Sequence, residues 1–281
     1  MKIIESIREM RDWSEAERRQ GRRVVLVPTM GFLHEGHLSL VREGKKRGDR
    51  LVVSIFVNPA QFGPKEDYEA YPRDFARDSA LLEREGVDVV FHPSAEEIYP
   101  RGHGTFVEVE GSSGRLCGAF RPGHFRGVAT VVAKLFNIVR PGAAIFGAKD
   151  YQQLRIVRRM AEDLCLDVEV VGHPIVRERD GLAMSSRNLY LSRKERQAAL
   201  SLSRALKKAE ALVGQGERDG ERIVAAATRE IERSPLARIE YVSLCDPLTL
   251  ERVNRLAGET LLALAVWVGK ARIIDNIILK A

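Results

Sequence analysis

No apolar run in this 281-residue chain is long enough to cross a membrane; the longest, 261–268, has the length of one strand. Cysteine is scarce. Cys117, Cys165 and Cys245 lie far apart with no Cys-x-x-Cys pair, which argues against a disulfide framework and for reduced thiols in a cytoplasmic protein. The opening Met1-Lys2-Ile3-Ile4-Glu5 has an early acid and no long apolar stretch behind it, so no secretory signal is expected. The chain also lacks a Gly-x-x-x-x-Gly-Lys-[Ser/Thr] loop and a His-Glu-x-x-His pair, which excludes a P-loop ATPase and the common zinc-protease pattern. Internal repeats, low-complexity tracts and carboxylate clusters suited to a metal cage are missing too.

What remains is a globular composition, 44% hydrophobic and 30% charged, sufficient for one generous domain or two modest ones. The net charge of +6 invites a nucleic-acid reading. Basic and acidic residues are interleaved, however, as in Glu217-Arg218-Asp219-Gly220-Glu221-Arg222, and no arginine stripe alternates with stacking aromatics. The charge reads as a solvated surface whose mild positive field favours small anionic substrates. Neither nucleic acid nor membrane is an expected partner.

Short apolar runs at 24–27, 51–57, 87–91, 143–146 and 168–171 alternate with helix-like stretches at 37–47, 73–85, 127–139 and 151–164. This alternation indicates βαβ units and a mostly parallel sheet. The stretch 128–139 is rich in β-branched residues but long, with Val131, Leu135 and Ile138 on one face, and reads as a buried helix. Beyond Pro174 the pattern changes: two helices within 192–234, the first opened by a Ser192/Glu195 capping box, then strands at 238–245, 261–268 and 271–279. The expected fold class is α/β, a Rossmann-like, doubly wound, mostly parallel sheet over residues 1–175, with a smaller α+β domain over 176–281.

The most informative stretch is Pro28-Thr29-Met30-Gly31-Phe32-Leu33-His34-Glu35-Gly36-His37, between the run 24–27 and a helix-like segment. It is a strand, a tight turn and a helix N-terminus, a place that suits an anion at the carboxyl edge of a parallel sheet. Two imidazoles there either cap the helix or meet a phosphate, and the turn alone does not decide. Three other segments offer related chemistry. Gly147-Ala148-Lys149-Asp150 follows a strand with a close-approach glycine and a mobile cation. Met184-Ser185-Ser186-Arg187 sets two hydroxyls beside a guanidinium, a phosphate clamp or an exposed turn. Asn58 and Gln61 end a strand in amides that either orient a small polar substrate or form a turn. The loop Arg121-Pro122-Gly123-His124-Phe125-Arg126-Gly127 reads as a flap, an anion contact or a plain helix opening.

His34-Glu35-Gly36-His37 resembles the His-x-Gly-His signature of the nucleotidyltransferase superfamily that includes class I aminoacyl-tRNA synthetases. Together with Phe56-Val57-Asn58-Pro59-Ala60-Gln61-Phe62, Arg121–Phe125, Gly147–Gln153 and Ser185-Ser186-Arg187-Asn188, in this order, it resembles the pantoate–β-alanine ligase family over most of the chain. The resemblance implies an ATP-dependent ligase that forms pantoyl adenylate and then passes the acyl group to β-alanine. It implies ATP contacts at Met30, Gly31, Phe32, Leu33, His34, Glu35, Gly36, His37, Gly147, Ala148, Lys149, Asp150, Val176, Met184, Ser185, Ser186 and Arg187. His37, with His34, Lys149 and Arg187, would carry catalysis; Gln61 and Gln153 would hold pantoate, and Gln61 would also meet β-alanine. Mg²⁺ would arrive with the nucleotide, its protein ligands unassigned, and the chain would act as a homodimer with its C-terminal domain as a lid. A transferase that moves a nucleotide onto a phosphorylated small molecule is the alternative enzyme class.

Overall fold

The structure, a computed structural model, describes residues 1–64 and 66–281. From the N-terminus the elements run β1 (Lys2–Ile4), α1 (Ile7–Arg19), β2 (Val24–Thr29), α2 (Glu35–Lys45), β3 (Arg50–Ile55), α3 (Phe75–Arg84), β4 (Val89–Phe91), α4 (Ala95–Ile98), α5 (Cys117–Phe120) and α6 (His124–Val139). They continue with β5 (Ala143–Gly147), α7 (Tyr151–Asp163), β6 (Glu169–His173), α8 (Arg193–Gly214), α9 (Gly220–Glu232), β7 (Ala237–Cys245), β8 (Glu259–Val268) and β9 (Ala271–Lys280). The chain divides into two compact units, one made of Met1–Ser113, Arg121–Ala148 and Gln153–Pro174, the other of Gly114–Phe120, Lys149–Gln152 and Ile175–Ala281.

The first unit is the expected α/β fold: a six-stranded sheet in the order β1-β4-β3-β2-β5-β6, every pairing parallel. Val24 to Val27 are all buried because the sheet is covered on both faces, which explains a continuous apolar run in place of alternation. Val25, Val27, Val53 and Ile145 join Leu38, Val41 and Leu82 of α2 and α3 in one core cluster. Helices α1 and α6 contact each other and β2 without entering that cluster. The connections leave β2 for β3 on one side and reach β5 on the other, so strand order reverses between β2 and β5. Ligands of such sheets bind outside the carboxyl ends of the strands at that reversal.

Four of these elements, β1, α1, α4 and α5, lie outside the sequence expectation. Strand β1 has only three residues, and α1 buries only Met10 and Ser14, so neither carries a strong apolar period. Helix α6 opens at His124, three residues earlier than the stretch 127–139, with Gly123 as a left-handed N-cap at φ 80°. In the second unit, β7-β8-β9 form an antiparallel sheet. Leu202, Leu206, Ile223 and Ala227 of α8 and α9 bury against Leu262, Leu264, Val266 and Ile273. The Ser192/Glu195 capping box is present at the start of α8.

Candidate active site

At the end of β2 the Thr29 hydroxyl donates to the Ser54 carbonyl at 2.8 Å and accepts the Gly31 N–H at 3.2 Å. Gly31 and Phe32 then turn left-handed, with φ 82° and 49°. For Phe32 this costs on the order of 1 kcal/mol. What holds the turn is Asp78 of α3, 1% exposed, whose carboxylate accepts the N–H of Phe32 at 2.6 Å and of Leu33 at 2.8 Å. Burial pushes the Asp78 carboxyl above its ordinary 3.8, against the downward pull of those two bonds. The neighbouring Arg77 lies over the Phe32 ring, 5.0 Å from its centre, and donates to the Leu33 carbonyl at 2.9 Å. Sequence reasoning missed both residues, which stand some 45 positions from their partners.

His34 is the N-cap of α2, in extended conformation. Its carbonyl accepts the N–H of His37 at 2.8 Å and of Leu38 at 3.1 Å, while its own N–H donates to His37 Nδ1 at 3.3 Å. The two rings lie against each other, centroids 4.0 Å apart and tilted by 31°. An imidazole that accepts at Nδ1 carries its proton, when neutral, on Nε2. Capping and catalysis are therefore not rivals at His37: the capping bond fixes which ring nitrogen is the donor. Glu35 is exposed and ion-paired with Arg42, so only its backbone N–H belongs to the helix terminus.

The two strand-end amides have different fates. Asn58 is 1% exposed, and its Oδ1 accepts from Ala60 N–H at 3.3 Å and Tyr99 O–H at 2.8 Å. Its Nδ2 donates to the Gly127 carbonyl and to Gln61 Oε1, both at 3.1 Å. Asn58 thus holds Gln61, and its amide is committed to protein partners. Gln61, on the 3-10 turn Pro59–Gln61, points Nε2 to Met30 Sδ at 3.0 Å, which brings it to the β2–α2 turn. Arg121 is paired with Glu66, Nε to Oε1 at 2.7 Å, so the loop 121–127 is a braced helix opening. Burial would raise the Glu66 carboxyl, but the Arg121 guanidinium outweighs it and holds the group below 4.5.

At the end of β5, Gly147 and Ala148 belong to the first unit, as does Gln153. Of the adjacent glutamines on α7, Gln152 is committed to the backbone, accepting from Cys117 N–H at 3.0 Å and donating to the Arg115 carbonyl at 2.6 Å. Gln153 is partly exposed. In the second unit the Lys149 carbonyl accepts from Asn276 Nδ2 at 2.9 Å, and Asp150 is exposed. The Val176 carbonyl accepts the Met184 N–H at 3.0 Å, closing a hairpin braced by Arg177, which forks onto buried Asp275 at 2.6 and 2.9 Å. The Ser185 hydroxyl accepts the Arg187 N–H at 3.3 Å and so caps the 3-10 helix Ser186–Tyr190. Arg196 of α8 ties the hairpin down through Glu178 at 2.5 Å and Asp180 at 2.7 Å. Among the described residues no group of three or more His, Cys, Asp or Glu gathers as a metal cage.

A family model described as pantoate-beta-alanine ligase matches residues 2–278. The chain belongs to the pantoate–β-alanine ligase family. It is therefore an enzyme of the ligase class. It is similar to the pantothenate synthetase of Heliobacterium modesticaldum, 61% identical over 280 residues and 100% of both chains, and to that of Thermotoga petrophila, 58% identical over 99% of this chain and 100% of the relative. Among solved structures, a pantothenate synthetase from Thermus thermophilus superposes with TM-score 0.94 at 46% identity, covering 99% of each chain. A pantoate–β-alanine ligase from Francisella tularensis, complexed with β-γ ATP and β-alanine, superposes with TM-score 0.82 at 32% identity, over 99% of this chain and 97% of that one. These relatives share the six-stranded parallel sheet and the small antiparallel one.

Proposed function

We propose that the family's reaction proceeds here in two steps through pantoyl adenylate. A carboxylate oxygen of pantoate attacks the α-phosphorus of ATP; the new O–P bond forms as the bond to pyrophosphate breaks. The amine of β-alanine then attacks the acyl carbon, AMP leaves with the bonding pair, and the amine gives up a proton to yield pantothenate. A free carboxylate is a poor electrophile toward an amine, which is why the first step is needed. The ligands of the Francisella relative, ATP-like and β-alanine, support this choice of substrates.

The observation that carries the reading is the His37 tautomer, fixed by the 3.3 Å bond from the His34 N–H to Nδ1. It leaves Nε2–H as a donor at the N-terminus of α2, where charge on departing pyrophosphate is stabilised by an aimed hydrogen bond and by the helix dipole. His34, Lys149, Ser185, Ser186 and Arg187 supply further donors, and the backbone of Met30 to Gly36, Gly147 to Asp150, Val176 and Met184 the remaining ATP contacts. Gln61 and Gln153 would hold pantoate by their amides, groups better suited to a carboxylate and hydroxyls than to a phosphate. This favours the ligase over a nucleotidyltransferase. Residues 1–175 would bind the substrates, and 176–281 would shield the adenylate from water.

The donor set is cationic and amide in character, which suits Mg²⁺ delivered on the ATP phosphates. The same reading carries a homodimer in the cytoplasm, and light scattering on purified protein tests the dimer. The deciding experiment is pantoate-dependent ATP–pyrophosphate exchange without β-alanine. Exchange is expected; its absence in folded protein that still makes pantothenate overturns the adenylate route.

A further inference from the structure

The loop 121–127 contributes no assigned contact to the reaction, yet its side chains converge on one backbone atom. The Gln61 carbonyl accepts from His124 Nδ1 at 2.8 Å and from Arg121 Nη2 at 3.4 Å. The other ring nitrogen of His124, Nε2, faces Arg121 Nη1 at 3.1 Å. A carbonyl cannot donate and a guanidinium cannot accept, so only one neutral tautomer satisfies both contacts: Nδ1–H donates to Gln61, and Nε2 accepts from Arg121. Arg121 is fixed in turn by Glu66, which takes a bond from Nε at 2.7 Å and a second from Nη2. The side-chain end of Gln61 is held separately, its Oε1 by Asn58 at 3.1 Å. Gln61 is therefore gripped at both ends, and its Nε2 donor is left aimed at Met30 Sδ.

We propose that His124 is a positioning residue for Gln61, held in its working tautomer by the Glu66–Arg121 ion pair. The proposal rests on the reading that Gln61 binds pantoate. A glutamine side chain has three rotatable bonds, and immobilising it costs binding free energy unless the scaffold has already done so. Asn58 orders the side chain and the brace fixes the main chain from which it projects, both before substrate arrives, so loss of the brace falls on the ligand that Gln61 holds and spares ATP.

The test is steady-state kinetics on the full chain with pantoate, ATP and β-alanine. Loss of one hydrogen bond to the Gln61 carbonyl is expected to raise the pantoate KM of His124→Ala roughly tenfold, leaving the ATP KM within about twofold. His124→Asn retains an N–H where Nδ1 was and is expected to recover most of the loss. Arg121→Gln, which keeps His124 but removes its lock, is expected to shift the pantoate KM in the same direction by a smaller factor, and it serves where His124→Ala does not fold. Equal rises in both KM values, or His124→Asn no better than His124→Ala, overturn the proposal. Gln61→Ala separates the layers. An unchanged pantoate KM there removes the pantoate assignment itself; a raised one beside a normal His124→Ala overturns the brace alone.

Discussion

The two candidate phosphate segments are held by opposite means. The β2–α2 turn is fixed by a buried carboxylate, Asp78, which accepts two backbone N–H groups and keeps Phe32 left-handed at φ 49°. The hairpin from Val176 to Arg187 is tied by Arg196 to Glu178 and Asp180, side chains roughly a third exposed. A buried acceptor that loses its match leaves desolvated groups unsatisfied, whereas an exposed ion pair is replaced by water at little cost. The first segment is preorganised by the core; the second is tethered in a way that tolerates adjustment. A rigid segment suits donors that must already be aimed when charge develops, and an adjustable one suits a contact that must form and release.

Four measurements break or sharpen this contrast. The largest effect is expected from His37→Ala, whose lost Nε2–H should lower kcat by about 10²–10³ with a much smaller change in ATP affinity. Equal losses in both would demote His37 to ground-state binding. Asp78→Asn comes next. One of its two acceptor positions becomes a donor facing an N–H, so urea unfolding should show about 2 kcal/mol of destabilisation. The ATP KM should rise with it. Arg196→Gln should cost less than about 1 kcal/mol, because its pairs are partly solvated, and should raise the ATP KM severalfold without lowering kcat. A kcat loss as large as that of His37→Ala would erase the distinction between the segments. Smallest of all, Glu35→Gln should be indistinguishable from the parent in ATP KM, since the exposed carboxylate faces Arg42 and the backbone alone serves the helix terminus.

Proton uptake gives the same contrast another axis. Burial raises the folded-state pKa of Asp78 above 3.8, so the folded protein binds more protons there than the unfolded chain. Its contribution is greatest below 3.8 and is lost as pH rises through the raised value. For Asp180, burial pulls upward but the Arg196 hydrogen bond outweighs it and holds the group below 3.8. That contribution is complete above 3.8 and is lost as pH falls through the depressed value.

Much of this was legible in the order of residues. The run 24–27 followed by two glycines and two histidines marks a strand, turn and helix, because those elements are local and their signals adjacent. The three C-terminal strands and the Ser192/Glu195 box were equally plain. Asp78 was not. A mid-helix aspartate carries no sign that its partners are N–H groups 45 residues upstream. Nor do adjacent glutamines declare which one is spent on backbone, as Gln152 is, or amides three apart which one holds the other, as Asn58 holds Gln61. Such facts live in tertiary register, where a sequence period has nothing to say.

Gly127 shows how fine that register is. A Cβ built there would stand 2.1 Å from the Ala60 carbonyl oxygen, closer than any non-bonded pair survives, because α6 and the 3-10 turn 59–61 meet backbone to backbone. A single hydrogen atom on one helix thus serves as the spacer gauge for the amide of Gln61. Widening the gap by one methyl group would shift the turn that carries Gln61, and with it the proposed pantoate contact, without altering that glutamine itself.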